Sequence, residues 1–332
     1  MIVPSMFVAG AVRRRCRWMA LLLVLSGPGP HPLAAERVNG FDLSGALVER
    51  ELIRRGGPPR DGIPSIDDPT FTGADGANRW LDDDARVLGI ELDGVTRAYP
   101  VPILDWHEIV NDRIGDRPLL VTWCPLCGSG VAYDPRLPEA PRGLEFGVSG
   151  LLYNSDVLLY DRSTDSLWSQ LRHEAVAGPL RGTRLETVLL EHTSWKRWRS
   201  LHPETRVLAR PRTPDGRFLR DYSVDPYEGY RLDRRLMFPV GTQDRRFHPK
   251  EVVLGIAFED GAMAWPLTEL AGAELPVRTR VGGREVLVHY DPDSETAWLT
   301  GADGARLVGQ RAFWFAWYAF HPRTEVWTLR DE

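Results

Sequence analysis

Short apolar runs separated by Gly, Pro, Asp and Asn recur along most of this chain, as is typical of small strands joined by turns. The runs that predict strands are residues 87–90, 96–99, 119–123, 144–148 and 157–160. Residues 193–201 predict a short helix that begins at Thr193 or Ser194 and ends before Pro203. The pattern therefore predicts many short strands and few helices.

The second part of the chain repeats the pattern of the first. The segment VLGI at residues 87–90 recurs at 253–256, an offset of 253 − 87 = 166 residues. At the same offset, AYP at 98–100 recurs as AWP at 264–266. Further matches, in the same order, pair Trp195, Trp198 and His202 with Trp314, Trp317 and His321. We therefore expect a strand-rich α+β fold, duplicated internally from small-sheet units with short helices.

The two copies differ in one respect. The first copy carries an insertion that contains a Cys-Pro-Leu-Cys segment, whereas the second copy has no cysteine. The expected boundaries are a signal peptide over 1–35, an extended N-terminal arm over 36–82, a first repeat over 83–210, a crossing loop over 211–250 and a second repeat over 251–332.

The N-terminal residues have the order of a secretory signal. Four arginines at positions 13–17 precede the apolar segment 18–25, and Ala34-Ala35 offers a small-residue cleavage site. An uncleaved membrane anchor or a mis-assigned start is the alternative, although the apolar segment is short for a spanning helix. We expect a periplasmic or secreted protein with no transmembrane helix after signal removal.

Removal of residues 1–35 takes away four arginines and no acids, so the net charge changes from −5 to −5 − 4 = −9. An acidic surface argues against nucleic-acid binding. The same removal takes Cys16 and leaves Cys124 and Cys127 as the remaining cysteines. In an oxidising compartment, such a pair predicts a metal site, a redox couple or a structural disulfide.

The context of the cysteine pair favours a metal or redox site. Residues 119–123 predict a strand that runs directly into Cys124, and Gly128 and Gly130 allow a close approach of backbone. A thioredoxin-like site would need a helix straight after the cysteines, and Gly128-Ser129-Gly130 disfavours one. A static disulfide or two buried thiols remain open.

A thiolate pair needs further ligands for most metals, and His107 is the expected third ligand. The position equivalent to His107 in the second copy is Ala273, so this histidine belongs to the site-bearing copy alone. Asp156 is a candidate carboxylate ligand or proton donor in a polar turn. Copper is the favoured ion for two sulfurs and an imidazole, with iron or zinc possible.

Several long stretches of the chain resemble the bacterial and archaeal family catalogued as domain of unknown function 3179. They are residues 105–112, 122–128, 146–150, 154–156, 160–162 and 166–170. The resemblance covers roughly residues 80 to 330 and implies an exported or membrane-associated protein with the same His and Cys-x-x-Cys stretches. Trp123 stands where the family pattern often has Tyr. The resemblance implies no reaction.

We therefore expect an exported metal-binding protein that acts as an oxidoreductase or a metal-delivery factor, with an unidentified small-molecule or protein partner. The alternatives are a metal-free thiol–disulfide protein and a non-catalytic binding module with a structural disulfide. The sequence leaves open whether the protein is an enzyme.

Overall fold

The computed structural model of the protein describes residue 1 and residues 37–329. Apart from Met1, the predicted signal peptide lies outside the described residues. Within the described part of the chain, no helix is both long and apolar enough to cross a membrane.

Strands dominate the described chain. The first sixteen are β1 (Arg37–Val38), β2 (Phe41–Asp42), β3 (Ile53–Arg55), β4 (Phe71–Thr72), β5 (Arg86–Leu92), β6 (Val95–Pro100), β7 (Ile109–Ile114), β8 (Arg117–Cys124), β9 (Ser129–Asp134), β10 (Phe146–Tyr153), β11 (Asp156–Asp161), β12 (Leu167–Ser169), β13 (Glu174–Ala177), β14 (Glu186–Val188), β15 (Glu191–Ser194) and β16 (Arg206–Leu208). The others are β17 (Val252–Phe258), β18 (Gly261–Pro266), β19 (Val277–Val281), β20 (Arg284–Asp291), β21 (Thr296–Gly301), β22 (Arg306–Leu307), β23 (Gln310–Phe313) and β24 (Glu325–Val326).

The α-helices are short, with four to seven residues each. They are α1 (Ala74–Ala77), α2 (Val101–Leu104), α3 (Trp195–Leu201), α4 (Leu267–Leu270) and α5 (Trp314–Phe320), and a 3-10 turn spans Arg50–Leu52. Helices α2 and α4 each follow a proline that ends a strand, because proline fits the start of a helix. Ser194 caps α3 by accepting a hydrogen bond from the Arg197 N–H at 3.3 Å.

The strands form five small sheets of four or five strands, arranged as a five-bladed β-propeller, with β1 and β2 as a separate pair. The prediction of duplicated α+β units is therefore wrong. The helical patterns are real, but a helix of four to seven residues only covers the end of a sheet and does not form a layer of its own. The repeated sequence predicts two similar halves, whereas the units that pack against one another are the five small sheets.

Two sheets account for the repeated sequence. Their strand orders are β15-β5-β6-β16 (with β4 beyond) and β23-β17-β18-β24, and the β6–β16 and β18–β24 pairs are both parallel. In each, an indole lies flat against a glycine of the central strand. A Cβ built on Gly89 would meet the Trp198 ring at 2.3 Å, and one on Gly255 would meet the Trp317 ring at 2.6 Å. Glycine is therefore required at both places.

Two further sheets position the candidate site. The cysteine sheet has the order β14-β9-β8-β7, and the aspartate sheet has the order β13-β12-β11-β10-β3. The Asn111 side chain joins them, since its Nδ2 donates to the Phe146 carbonyl at 2.8 Å and its Oδ1 accepts from the Phe146 N–H at 2.9 Å. The amide thus holds β7 beside β10 without a shared strand ladder.

Between Leu208 and Val252 the chain forms turns and irregular backbone with no named strand or α-helix. Part of this crossing segment still packs against the core. The Tyr230 ring is buried in the same hydrophobic cluster as Cys124 and Cys127, with Tyr227 and Phe238 packed against it. The crossing segment therefore lies over the cysteines rather than projecting into solvent.

Candidate functional site

Cys124 ends β8 and Ser129, its cross-strand partner, begins β9, so a four-residue turn carries Cys127. The Cys127 N–H donates to the Cys124 carbonyl at 3.2 Å, which brings the two sulfurs to one side of the turn. Gly128 has φ +60°, and a Cβ there would lie 2.8 Å from the Phe313 ring. Backbone conformation and space therefore both demand glycine after the second cysteine.

Asp156 reaches the cysteines through a second tight turn. Asn154 and Ser155 have φ values of +52° and +64°, the conformation of a two-residue hairpin turn, and Asp156 begins β11 directly afterwards. The Ser155 carbonyl lies 3.4 Å from the Cys127 Sγ and 3.9 Å from the Cys124 Sγ. The hairpin tip of one sheet thus meets the cysteine turn of its neighbour.

The structure brings together Cys124, Cys127 and Asp156. Their sulfur and carboxylate ligand atoms lie within 4.8 Å of one another, and all three residues are at most 1% exposed. Both cysteines are free thiols. Asp156 Oδ2 accepts from the Leu171 N–H at 3.0 Å, whereas Asp156 Oδ1 is buried with no hydrogen-bond partner. A buried carboxylate oxygen without a partner is costly, so this atom marks a place for a cation or a proton.

Burial controls protonation at the site. Loss of solvation raises the pKa of Asp156 to about 7 and also raises the pKa of both thiols, that of Cys127 most strongly. The negative charge of Asp156 raises the pKa of both thiols further. Without a bound cation the thiols are therefore neutral at pH 7, and a metal ion would have to displace their protons.

Two more acids lie close by. Burial, with repulsion from Asp105 and Asp156, raises the pKa of Glu108 to about 8. Burial likewise raises the pKa of Asp105 to about 7, although its carboxylate accepts from Trp123 Nε1 at 2.7 Å. In the described part of the chain no arginine or lysine forms an ion pair with Glu108 or Asp156. The region therefore gathers acids and thiols, and among its acids Asp105 is the one whose pKa a cation, Arg231, is seen to lower.

His107 lies outside this group. Its Nδ1 is 2.7 Å from the Pro64 carbonyl and must donate, because a carbonyl only accepts. Burial lowers the pKa of His107, so the ring is neutral and its Nε2 accepts from the Tyr222 hydroxyl at 2.9 Å. Its role as a metal ligand stays a prediction, and in this arrangement the lone pair that would bind a metal is occupied.

The crossing segment closes the site from the other side. Asn154 Oδ1 accepts from the Gly241 N–H at 2.8 Å, and the Ser155 hydroxyl donates to the Phe238 carbonyl at 2.8 Å. Burial raises the pKa of Tyr227 and Tyr230, and negative charge on Glu108 and Cys124 (for Tyr227) or on Cys127 and Cys124 (for Tyr230) would add to it. The sequence alone does not predict this cover, since residues 211–250 have no regular pattern.

The role of Gln170 is a second feature that the sequence alone does not predict. It is fully buried, its Oε1 accepts from the Ser129 hydroxyl at 2.7 Å, and its Nε2 donates to the Thr122 hydroxyl at 2.9 Å. It thereby fixes β12 of the aspartate sheet to both strands that flank the cysteine turn. The available signal was a glutamine in a run of otherwise apolar or small residues at 167–171.

The donor set fits a metal ion. Two sulfurs and one carboxylate oxygen are ligands that zinc and related ions accept, and Asp156 has one oxygen, Oδ1, without a hydrogen-bond partner. Three protein donors fill three of the four positions of a tetrahedral ion.

One comparison with known proteins identifies a family. The family model described as "Protein of unknown function (DUF3179)" matches residues 60–324. Neither a curated protein nor a solved structure matches the chain. Since the match covers most of the sequence and includes both turns of the site, the chain belongs to the DUF3179 family.

Proposed function

We propose that the protein binds one thiophilic metal ion through Cys124, Cys127 and Asp156. The observation that carries the proposal is the group of two sulfurs and one Asp156 carboxylate oxygen within 4.8 Å of one another, together with the buried Asp156 Oδ1, which has no hydrogen-bond partner. A bound cation would satisfy this oxygen, ionise both thiols and neutralise the surrounding acids.

The donor set favours zinc among the candidate ions. Copper(I) prefers sulfur and imidazole, and the carboxylate at the third position together with the engaged His107 weakens the case for it. Zinc accepts sulfur and oxygen together in a tetrahedron. Iron and copper are the other ions that the metal analysis must distinguish from zinc.

Burial favours a resident ion over a delivered one. A delivery factor must release its metal to a partner, which requires ligands that the partner can reach, whereas both cysteines are covered by the crossing segment. One open coordination position is the mark of a catalytic metal, and Glu108, whose pKa is raised to about 8, offers a protonated carboxyl near it. We infer an exported metalloprotein with a Lewis-acid or redox role that the metal's identity decides.

Metal analysis of protein purified from the periplasm tests the proposal. We expect one metal ion per chain in the natural protein and none in Cys124→Ser or Asp156→Asn. Asp161→Asn is the matched control: Asp161 lies on the same strand and is equally buried, but its carboxylate is bonded to Trp168 Nε1 at 3.0 Å and to the Thr164 hydroxyl. Full metal content in Cys124→Ser would refute the ligand assignment.

Because two free thiols lie close together, thiol–disulfide exchange is a second candidate function. Reactive cysteines are usually partly exposed with a lowered pKa, whereas burial raises the pKa of both thiols here. Thiol titration of the metal-free protein with and without reductant separates the two. Thiols that react within seconds in the folded protein would favour exchange, and thiols that react only after denaturation would favour the metal site.

A further inference from the structure

A large cavity lies beside the cysteine turn, with Gly128 in its lining. It has a volume of about 550 Å³, within the usual range for small-molecule sites. Its lining includes Trp123, Gly128 and Phe313. The Phe313 N–H donates to the Cys127 carbonyl at 2.7 Å, so the turn that carries Cys127 borders this cavity directly.

Two inward arginines give the cavity its chemistry. Arg86 donates to three backbone carbonyls, those of Ser294, His192 and Glu295, at 2.6, 3.1 and 3.3 Å. Arg311 donates to the Glu295 carbonyl at 2.8 Å, and its side chain is only 13% exposed. Backbone carbonyls orient the two guanidinium groups but do not neutralise their charge.

The nearest carboxylate compensates them only in part, although its charge raises the pKa of both arginines. Glu295 Oε2 lies 3.9 Å from Arg311 Nη2, and the Glu295 side chain is 66% exposed, so solvent screens the pair. Burial and the repulsion between the arginines lower the pKa of Arg86 to about 10 and lower that of Arg311 strongly. The cavity therefore holds positive charge that the described protein leaves unbalanced.

The whole lining shows the same excess. Four cationic residues and two acidic ones line the cavity; they are Arg86, Arg231, Lys250 and Arg311 against Glu251 and Glu295. One of the acids, Glu251, already accepts from the Thr268 hydroxyl at 2.8 Å.

A second cavity provides the contrast. It has a volume of about 300 Å³ and also contains two arginines, Arg172 and Arg184. Both of these pair with Glu174, at 3.0 and 3.6 Å, so their charge is partly balanced within the protein. The arginines of the smaller cavity thus have a partly buried carboxylate as partner, whereas Arg86 and Arg311 of the larger cavity donate to backbone carbonyls.

We propose that the larger cavity binds a small oxyanion, a carboxylate or a phosphate, through Arg86 and Arg311, with Arg231 at its mouth. Guanidinium groups suit both anions because their paired N–H groups match two oxygens of one ligand. Trp123, Tyr290 and Phe313 give the cavity apolar walls that accommodate the rest of an organic anion. The proposal rests on the cavity alone and does not require a metal.

Calorimetric titration of the full mature protein with inorganic phosphate and, separately, with succinate at low ionic strength tests the proposal. At least one of the anions is expected to bind with a dissociation constant below about 1 mM, and Arg311→Gln is expected to weaken binding about tenfold or more. Tighter binding of succinate assigns the site to carboxylates, and tighter binding of phosphate assigns it to phosphates. If neither anion binds at all, the proposal is overturned.

Three variants keep the result interpretable. Arg231→Gln changes an exposed residue at the mouth, is expected to fold normally, and should weaken binding by about threefold to tenfold. Arg184→Gln, in the smaller cavity, should leave binding unchanged. Loss of binding in Arg184→Gln with none in Arg231→Gln or Arg311→Gln would refute the site. The double variant Cys124→Ser/Cys127→Ser should still bind the anion, so failure of the metal proposal is distinguished from failure of this one.

Discussion

Two regions that border the cysteine turn have opposite electrostatic character. In one, Asp156 and Glu108 join two thiols in a buried group of acids without an arginine or lysine partner in the described chain. In the other, Arg86 and Arg311 border a cavity whose nearest carboxylate is exposed. A fold that needed only stability would pair these charges with each other, since unpaired buried charge is costly. The two proposals therefore assign a cation to the group of acids and thiols and an anion to the arginine-lined cavity.

Of the tests of this contrast, removal of the metal is expected to have the largest effect on stability. A bound ion stabilises the folded state alone. If the free metal concentration is a thousand times the dissociation constant, chelation should therefore lower the free energy of unfolding by about 4 kcal/mol. Thermal unfolding with and without a chelator measures the effect. Asp161→Asn should retain the full response to the chelator. An equal melting temperature with and without chelator would show that no ion contributes to stability.

The pH dependence of the metal-free protein is the next largest. The pKa of Asp156 is raised to about 7 and that of Glu108 to about 8, above their unfolded values, so both are harder to ionise in the folded state. Their contribution to stability is fully present below about pH 4 and is lost as pH rises to about 8, by up to about 1.4 kcal/mol per pH unit for each group. Denaturant unfolding between pH 5 and 8 measures this slope.

Asp156→Asn should remove about half of that slope because asparagine does not ionise. Bound metal should reverse the trend, since its ligands must lose protons to bind. The comparison of the two proteins cancels the contributions of buried histidines, whose lowered pKa values act in the opposite direction. An equal slope in Asp156→Asn and the natural metal-free protein would contradict the assigned burial of Asp156.

Gly128→Ala tests the cysteine turn, which borders both the acidic group and the arginine-lined cavity. A Cβ would lie 2.8 Å from the Phe313 ring, and the residue has φ +60°. Gly94→Ala is the matched control, because Gly94 has φ +76° with nothing within 4 Å of a Cβ. We expect Gly128→Ala to be less stable than Gly94→Ala by about 1–3 kcal/mol, the usual cost of overpacking. Denaturant unfolding of both variants measures the difference, and equal losses would mean that Phe313 moves aside freely.

Asn154→Gly should have the smallest effect on stability. Glycine keeps the φ of +52° but loses the bond from the Gly241 N–H, at a cost of about 1 kcal/mol. The crossing segment should then open more often, and the thiols of the metal-free protein should be alkylated several-fold faster.

Asn39→Gly is the control for this variant, since Asn39 also has a positive φ. Its Nδ2 donates to the Ser149 carbonyl at 2.8 Å, a bond that joins the N-terminal arm to β10 and does not involve the crossing segment. The Asn39→Gly variant should lose similar stability with unchanged alkylation. Equal alkylation rates in Asn154→Gly and the natural protein would show that this contact does not hold the cover closed.

Local features of the site could be predicted from sequence because neighbouring residues determine them. The Cys-Pro-Leu-Cys turn after an apolar strand, the need for Gly128 and the polar turn before Asp156 are all properties of short segments. The cap of α3 at Ser194 is of the same kind. The repeat also showed which glycines and tryptophans recur, and the structure explains the recurrence as an indole packed against a glycine in each of two sheets.

The sequence by itself thus determined the strands, the turns and the residues capable of binding a metal. Only the tertiary structure decided that these strands form a propeller of small sheets, that Asp156 meets the cysteines, and that His107 bonds instead to Pro64 and Tyr222. The physical reason is range. A turn depends on the backbone preferences of a few adjacent residues, whereas the packing of one sheet against another depends on contacts between residues far apart in the chain, which no local pattern encodes.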